Sequence, residues 1–409
     1  MRILIACVGS AGDVHPFIAI GQALARRGHE VELQASPHFR ARVEAAGLTL
    51  LPLGTEADYQ RVVRCADLWN PRRSFPLMWG ELQQRLVEAH DALVARVRPG
   101  DTVLVGSTLA WQTRLAQETQ GLPAATVHLS PLCIFSAEAP ARLPGWPDLG
   151  GWPVWLVRAL HGAAERGVID RTVAPGLDAI RRRLGLAPVR RVLGRWVHAP
   201  QRVVCAWPDW FAPPQRDWPA QAVTTGFVRW PAPAGTALPP ALVRFLDAGP
   251  APLGFTPGSA MAHGRDFFAR AVAASAELGQ RAVLVTPYAD QLPAALPASV
   301  HVVDYAPFEL LLPRLRALVH HGGIGTAAQA AAAGLPQGFV PWAHDQFDNA
   351  ARWSGRGVGW RLPRHGWARS LERLLGDPAV AVAAARHAAL LAPNDAQERI
   401  ADLIEGLRP

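Results

Sequence analysis

Two adjacent histidines, His320 and His321, run straight into a glycine turn, Gly322-Gly323-Ile324-Gly325-Thr326, and one strand later comes the polar hexapeptide HDQFDN, His344 to Asn349. Glycines between a strand and a helix let backbone N–H groups and the helix N-terminus converge on one anion. Each hydrogen bond to a charged oxygen contributes about 1.5–3 kcal/mol, so a few of them hold a pyrophosphate without a metal ion. The chain carries no Asp-x-Asp triplet that would chelate one. The stretch is therefore expected to bind a diphosphate through His320, His321, Gly322, Gly323, Gly325 and Thr326, with no metal and no cofactor, and the spacing leaves open which histidine faces the phosphate. A bare tight turn would explain the glycines. It would not explain paired histidines and a polar hexapeptide at successive strand ends.

A second candidate lies at the start of the chain, where the apolar run ILIACV breaks into GSAGDVHP. Asp13 and His15 fall just beyond this first strand, the edge at which open α/β sheets bind their ligands. Asp13 reads either as a helix cap or as a general base, with His15 the alternative base. The helix is expected to begin near Pro16 and to close at Gly28. Ser107 ends a later buried strand, TVLVGS, near Asp13.

The elements that must position these residues alternate between strand and helix in both halves, which predicts an α/β, doubly wound architecture. The sequence from 61 to 80 mixes prolines, arginines, Trp69 and Trp79 without clean periodicity and is expected to be a loop that holds an acceptor. A long helical stretch is expected from Val154 to Leu186. Residues 229–240, RWPAPAGTALPP, form the most linker-like segment. The expected organisation is a first domain over 1–228, this linker, a second domain over 241–390, and a terminal helical segment over 391–409.

The stretch HHGGIGT followed by GLPQGFVPWAHDQFDNA resembles the donor signature of the nucleotide-sugar glycosyltransferases of GT-B fold (glycosyltransferase family 1). That resemblance implies two facing Rossmann-like domains with a cleft between them. It implies a terminal helix crossing back to the first domain and Asp13 abstracting the acceptor's proton. Donor diphosphate would also meet Ser259 in the turn Gly258-Ser259. The base and ribose would meet Tyr305, Pro307 and Gln329, and the sugar hydroxyls Asp345 and Gln346, with His344 nearby and Asn349 supporting the loop. Many relatives that use UDP-sugars carry a Glu where Gln329 stands, which agrees with a deoxynucleotide. Further segments, GSAGDVHPF, LWNPRRSF, DRTVAPGLDAIRR and VVCAWPDWFAPPQRDWP, resemble the rhamnosyltransferases of bacterial rhamnolipid synthesis. The implied reaction moves L-rhamnose, with inversion, from dTDP-L-rhamnose to a 3-(3-hydroxyalkanoyloxy)alkanoic acid. Trp69, Trp79 and Ser107 are the candidate acceptor contacts. Other dTDP- or UDP-sugars on a sterol, polyketide or other lipid, a non-catalytic glycosyltransferase-like partner, and a sugar-nucleotide epimerase are the rival readings.

Composition bounds the rest. At 409 residues the chain exceeds one ordinary core and predicts two domains. The net charge is +8 and every basic residue is arginine, scattered along the sequence rather than gathered in one block. Nucleic acid is therefore not an expected partner, whereas anionic substrates or an anionic membrane surface remain compatible. The four cysteines form no Cys-x-x-Cys pair, so neither zinc nor a disulfide framework is indicated. A reducing, cytoplasmic setting is expected, with peripheral contact at the inner membrane face and a partner subunit supplying the lipid acceptor as further possibilities.

Overall fold

The computed structural model describes residues 1–231 and 235–407. The chain divides into two compact units, Met1–Trp230 together with Asp395–Pro409, and Pro231–Asn394. The first unit carries β1 (Arg2–Ala6), β2 (Glu30–Ala35), β3 (Thr49–Pro52), β4 (Thr102–Ser107), β5 (Ala124–His128), β6 (Arg202–Cys205) and β7 (Ala222–Thr224). They form one parallel sheet in the order β3-β2-β1-β4-β5-β6-β7. From Ile3 onward β1 reads as an unbroken apolar run because it is central and covered on both faces. It pairs with both β2 and β4, Ile3 lying opposite Val31 and Val103.

The second unit repeats this plan with β8 (Leu253–Thr256), β9 (Ala282–Val285), β10 (Val300–Val303), β11 (Ala317–His320), β12 (Gln337–Phe339) and β13 (Gly359–Arg361). Their order is β10-β9-β8-β11-β12-β13. Both units are thus doubly wound, Rossmann-like sheets. In each, the winding reverses between two neighbouring central strands, β1 and β4 in the first and β8 and β11 in the second. The loops leaving those strand ends diverge and open a crevice, and the residues singled out for chemistry follow these strands.

Several local expectations need correction. The first helix spans Ala11–Arg26 and takes Pro16 inside it. It starts early because the Asp13 carboxylate turns back to the Ser10 N–H at 2.8 Å, and the Gly12 carbonyl one turn before Pro16 comes from a residue with no side chain to crowd the ring. The segment 61–80 is largely helical, with a short turn Ala66–Trp69 and a helix Ser74–Val94. Pro76 falls in the first turn of that helix, where no backbone donor is required, and Trp79, Leu82, Leu86 and Leu93 recur at helical spacing. β13 was not foreseen in the sequence, being only three residues long.

The linker is shorter than 229–240. Trp230 belongs to the first unit, donating its indole N–H to Gln22 at 3.0 Å, and Pro240 already opens the helix Pro240–Asp247. Residues 232–234 of that expected linker lie outside the described residues. At the other end, the return to the first unit begins at Asp395 rather than at residue 391. The last helix, Ala396–Glu405, buries Ile400, Ala401 and Ile404 in the first unit's core. Arg27 ties it down through Glu398 at 2.9 Å, Asp402 at 2.6 Å and Glu405 at 2.9 Å.

Candidate active site

The two histidines of the glycine turn part company. His320, the last residue of β11, is fully buried and points into the protein. Its Nε2 meets the Gln337 side-chain oxygen at 3.0 Å, and its Nδ1 accepts from the Gly322 N–H at 3.1 Å. Gln337 in turn donates to the Ala327 carbonyl at 3.2 Å, so β11, β12 and the following helix are stitched together by one buried pair. Burial pushes the His320 imidazole down to about 4, and it stays neutral. His320 is thereby a bracing residue, both nitrogens of its ring being engaged by Gln337 and the Gly322 N–H.

His321 occupies the crevice itself. Its ring lies between two backbones: a Cβ placed on Gly258 would come within 2.9 Å of it, and one on Gly323 within 2.3 Å. Gly258, in the turn after β8, also holds φ at +99°. Both glycines are thus required by the ring's position, and only one residue beyond Gly323 the helix Ile324–Ala332 begins. Burial, with His320 adjacent, pushes the His321 imidazole down to about 3. Its Nδ1 is buried without a hydrogen-bond partner among the described residues. A neutral imidazole with an unsatisfied nitrogen at the N-terminus of a helix, at the switch point of a doubly wound sheet, is suited to an anion. Ser259 is exposed in the neighbouring turn, and Gly325 and Thr326 lie in the helix's first turn, half-buried.

The hexapeptide after β12 is fastened to this turn. Asn349 is fully buried and donates to the Gly322 carbonyl at 3.1 Å and to the Asp345 carboxylate at 2.8 Å. It acts as a brace, joining the two strand-end turns, and lies too deep to touch a sugar. Gly322 holds φ at +89°, and a Cβ there would sit 2.8 Å from the Gln346 carbonyl. The Gln346 side-chain oxygen accepts from the backbone N–H groups of Trp342 at 2.8 Å and Ala343 at 3.1 Å. Its oxygen therefore shapes the loop and is not available to a sugar hydroxyl. His344 has φ of +56°, a rare backbone state for a residue with a side chain. Such strain persists where surrounding structure enforces it and gathers at functional sites. His344 and Asp345 remain half-exposed at the mouth of the turn.

Tyr305 follows β10 and is exposed, not a core tyrosine. Pro307 is buried just before the helix Phe308–Leu311. The Gln329 amide reaches back to the Gly325 carbonyl at 3.4 Å.

In the first unit, Asp13 lies in the opening turn of its helix. Its carboxylate accepts from the Ser10 N–H at 2.8 Å and the Ser10 hydroxyl at 3.3 Å. Gly9, at φ +138°, leaves room for that carboxylate, which an added Cβ would meet at 2.2 Å. Ser107, at the end of β4, accepts from the Val8 N–H at 3.3 Å, so the turn after β1 and the end of β4 are held together as expected for a switch point. His15 is turned away among Trp230, at 4.7 Å between ring centroids, and Phe39, at 6.3 Å. Burial, helped by the Arg42 charge, pushes it down to about 3, far below the basicity a general base at neutral pH needs.

Trp79 is also displaced from its expected role. It is buried in an aromatic core, 5.1 Å from Trp111, which packs on Trp196, so it cannot line an acceptor surface. Trp69 is half-buried at the end of its short turn. Sequence reading named the turn Gly258-Ser259 but gave no role to Gln337 or Gly9. A lone glutamine inside an otherwise apolar strand is the one signal that would have pointed to Gln337.

Residues 3–122 match the glycosyltransferase family 28 N-terminal domain, and residues 269–406 match the erythromycin biosynthesis protein CIII-like, C-terminal domain. O-mycaminosyltylonolide 6-deoxyallosyltransferase of Streptomyces fradiae is 31% identical over 421 aligned positions, covering 99% of this chain and 97% of the relative. Among solved structures, the glycotransferase of kitacinnamycin superposes with TM-score 0.76 at 22% identity, covering 100% of this chain and 99% of that one. Glycosyltransferase VinC in complex with dTDP superposes with TM-score 0.67 at 23% identity, covering 100% and 99%.

Proposed function

Starting from the premise that the chain belongs to the EryCIII-like, GT-B nucleotide-sugar glycosyltransferases, we propose that it is an inverting rhamnosyltransferase acting on a lipid-like hydroxy acid. The donor is dTDP-L-rhamnose and the acceptor a 3-(3-hydroxyalkanoyloxy)alkanoate. The observation that carries the donor site is His321, seated between the Gly258 and Gly323 backbones beside the start of a helix. In this reading the diphosphate meets His321, Ser259 and the N–H groups of Gly323, Gly325 and Thr326. His344 and Asp345 face the sugar, while Asn349 and Gln346 hold the loop that presents them. Tyr305 stacks on the base, which contributes about 1–3 kcal/mol.

Asp13 is the proposed base. It takes the proton of the acceptor hydroxyl as the acceptor oxygen bonds to the anomeric carbon and the bond from that carbon to the diphosphate oxygen breaks. The electron pair leaves with dTDP, and one displacement inverts the anomeric centre. The carboxylate's bonds to Ser10 hold its orientation. A positioned base contributes typically about 10²- to 10⁴-fold, and donors aimed at the departing diphosphate contribute at least comparably.

The deoxynucleotide is supported by an amide, Gln329, where UDP-using relatives are expected to carry a carboxylate, and by the dTDP complex of a structural neighbour. The rhamnose and the lipid rest on the sequence resemblance. A second reading, another dTDP-deoxysugar placed on a polyketide, is favoured by the macrolide substrate in the name of the Streptomyces fradiae relative. Incubation with dTDP-L-rhamnose or UDP-glucose, with and without the hydroxyalkanoyloxyalkanoate or a macrolide aglycone, separates them by product mass. A rhamnosylated lipid formed only from the dTDP donor supports the first reading. A glycosylated macrolide with no lipid product replaces it with the second.

A further inference from the structure

In the first unit, helical turns run without a break from Val154 to Arg183, widening at Glu165–Asp170. The first part of this run has two unlike faces. Inward, Val157 is fully buried against Ala137 and Leu149. Both carboxylates turn inward as well. Glu165 and Asp170 are buried and accept from the backbone N–H groups of Gly194 at 2.6 Å, Val192 at 3.1 Å and Arg191 at 2.9 Å.

Outward, Trp155, Arg158, Ala159, Ala163 and Arg166 are all exposed and recur at spacings of three and four, which is one face of a helix. Trp155 is 70% exposed and Val168, in the widened turn, 61%. The loop that leads into the helix adds Trp146 and Trp152, also exposed. Six of the nine large hydrophobic side chains exposed among the described residues fall between Leu143 and Val168. Such clustering differs from the single apolar residues that any surface carries and marks an interaction surface. Charge is equally uneven. Arg158, Arg166 and Arg171 are exposed, whereas no carboxylate between residues 149 and 171 is. Asp148, at the edge, is already paired with Arg142 at 2.6 Å.

We propose that this face docks on the headgroup layer of an anionic lipid bilayer. Indoles settle at the boundary between headgroups and acyl chains, apolar body inward and N–H toward water. Arginines beside them meet the lipid phosphates, and a helix so equipped lies in the interface without crossing it. Other occupants fit less well. A second copy of the chain would bring two sets of arginines face to face, and a nucleic acid would find no flat ring at Leu143, Val154 or Val168 on which to stack a base. None of these residues belongs to the switch-point turns, and docking requires no lipid substrate, so the proposal stands independently of the transferase reading.

Co-sedimentation of the full chain with vesicles of phosphatidylcholine, alone or mixed with phosphatidylglycerol, tests it. Each arginine at an anionic surface contributes about fivefold, so the mixed vesicles should be bound roughly a hundredfold more tightly. High salt should erase that difference. Arg158→Gln combined with Arg166→Gln should weaken binding about 25-fold, and Trp152→Ser combined with Trp155→Ser about tenfold or more. Lipids with brominated chains should quench tryptophan fluorescence in the parent chain and much less in the tryptophan variant. Unchanged dTDP affinity and thermal midpoint mark both variants as folded. Equal binding to the two kinds of vesicle, full binding or full quenching in the tryptophan variant, preference for a single-stranded oligonucleotide over mixed vesicles, or a lipid-independent dimer that Trp155→Ser dissolves each overturns the proposal.

Discussion

At the scale of single residues, the glycine turn assigns different work to its two histidines. His320 is a structural residue held by Gln337 and the Gly322 N–H. His320→Ala strands a buried glutamine oxygen and should lower stability by about 1–3 kcal/mol, measurable by urea denaturation. Gly323→Ala places a methyl group within 2.3 Å of the His321 ring and should abolish donor binding with little loss of fold. Asp13→Asn retains the oxygen that caps Ser10 but removes the base. Turnover should fall about 10²- to 10⁴-fold while donor affinity holds, and near-normal turnover would remove Asp13 from the mechanism. The sequence showed which residue types gather at the strand ends, but not which face inward. The side-chain directions of two consecutive residues at a strand's end alternate, and only the partner on the next strand, Gln337, decides which of them is buried.

At the scale of elements, the strands were legible because parallel central strands are covered on both faces and read as plain apolar runs. The glycine turn and the helix opened by HDQFDN were legible from their punctuation. The segment 61–80 was not, since prolines and arginines masked a helix whose apolar positions extend past residue 80. Its consequence is testable. Trp79→Ala should lower stability by about 3–5 kcal/mol through the cavity left beside Trp111. The Michaelis constant for acceptor should stay unchanged in the folded fraction. The terminal helix is the other element whose role depends on packing. Removing residues 395–409 exposes the surface that Ile400 and Ile404 cover and releases Arg27. The first unit should then unfold at lower temperature in calorimetry, while dTDP affinity, which the proposal assigns to the second unit, should persist wherever that unit stays folded.

At the scale of the whole molecule, neutral buried histidines occur in both units. His15 and His321 are pushed down to about 3, and His198 and His320 to about 4, in each case chiefly by burial. The unfolded chain binds protons at these groups below about pH 6.5, whereas the folded chain does not until far lower. Stability therefore rises with pH across that interval and is lost as pH falls from about 6.5 toward 4, by up to about 1.4 kcal/mol per unit for each histidine. Urea midpoints measured between pH 7.5 and 4.5 should fall steeply. Replacing His320 by Asn should flatten the slope, and a pH-independent midpoint would contradict this account. No described helix is long and apolar enough to cross a membrane. The fold class was readable from the alternation of strands and helices along the chain. The distribution of charge and neutrality was not, because it depends on which histidines packing encloses.

The central claim is that the switch point of the second sheet seats the donor's diphosphate on His321, and dTDP titration calorimetry of the parent chain and His321→Ala tests it most directly. The account predicts at least a tenfold loss of dTDP affinity in the variant, with thymidine affinity and thermal midpoint unchanged. Equal dTDP affinity in the two proteins would contradict it.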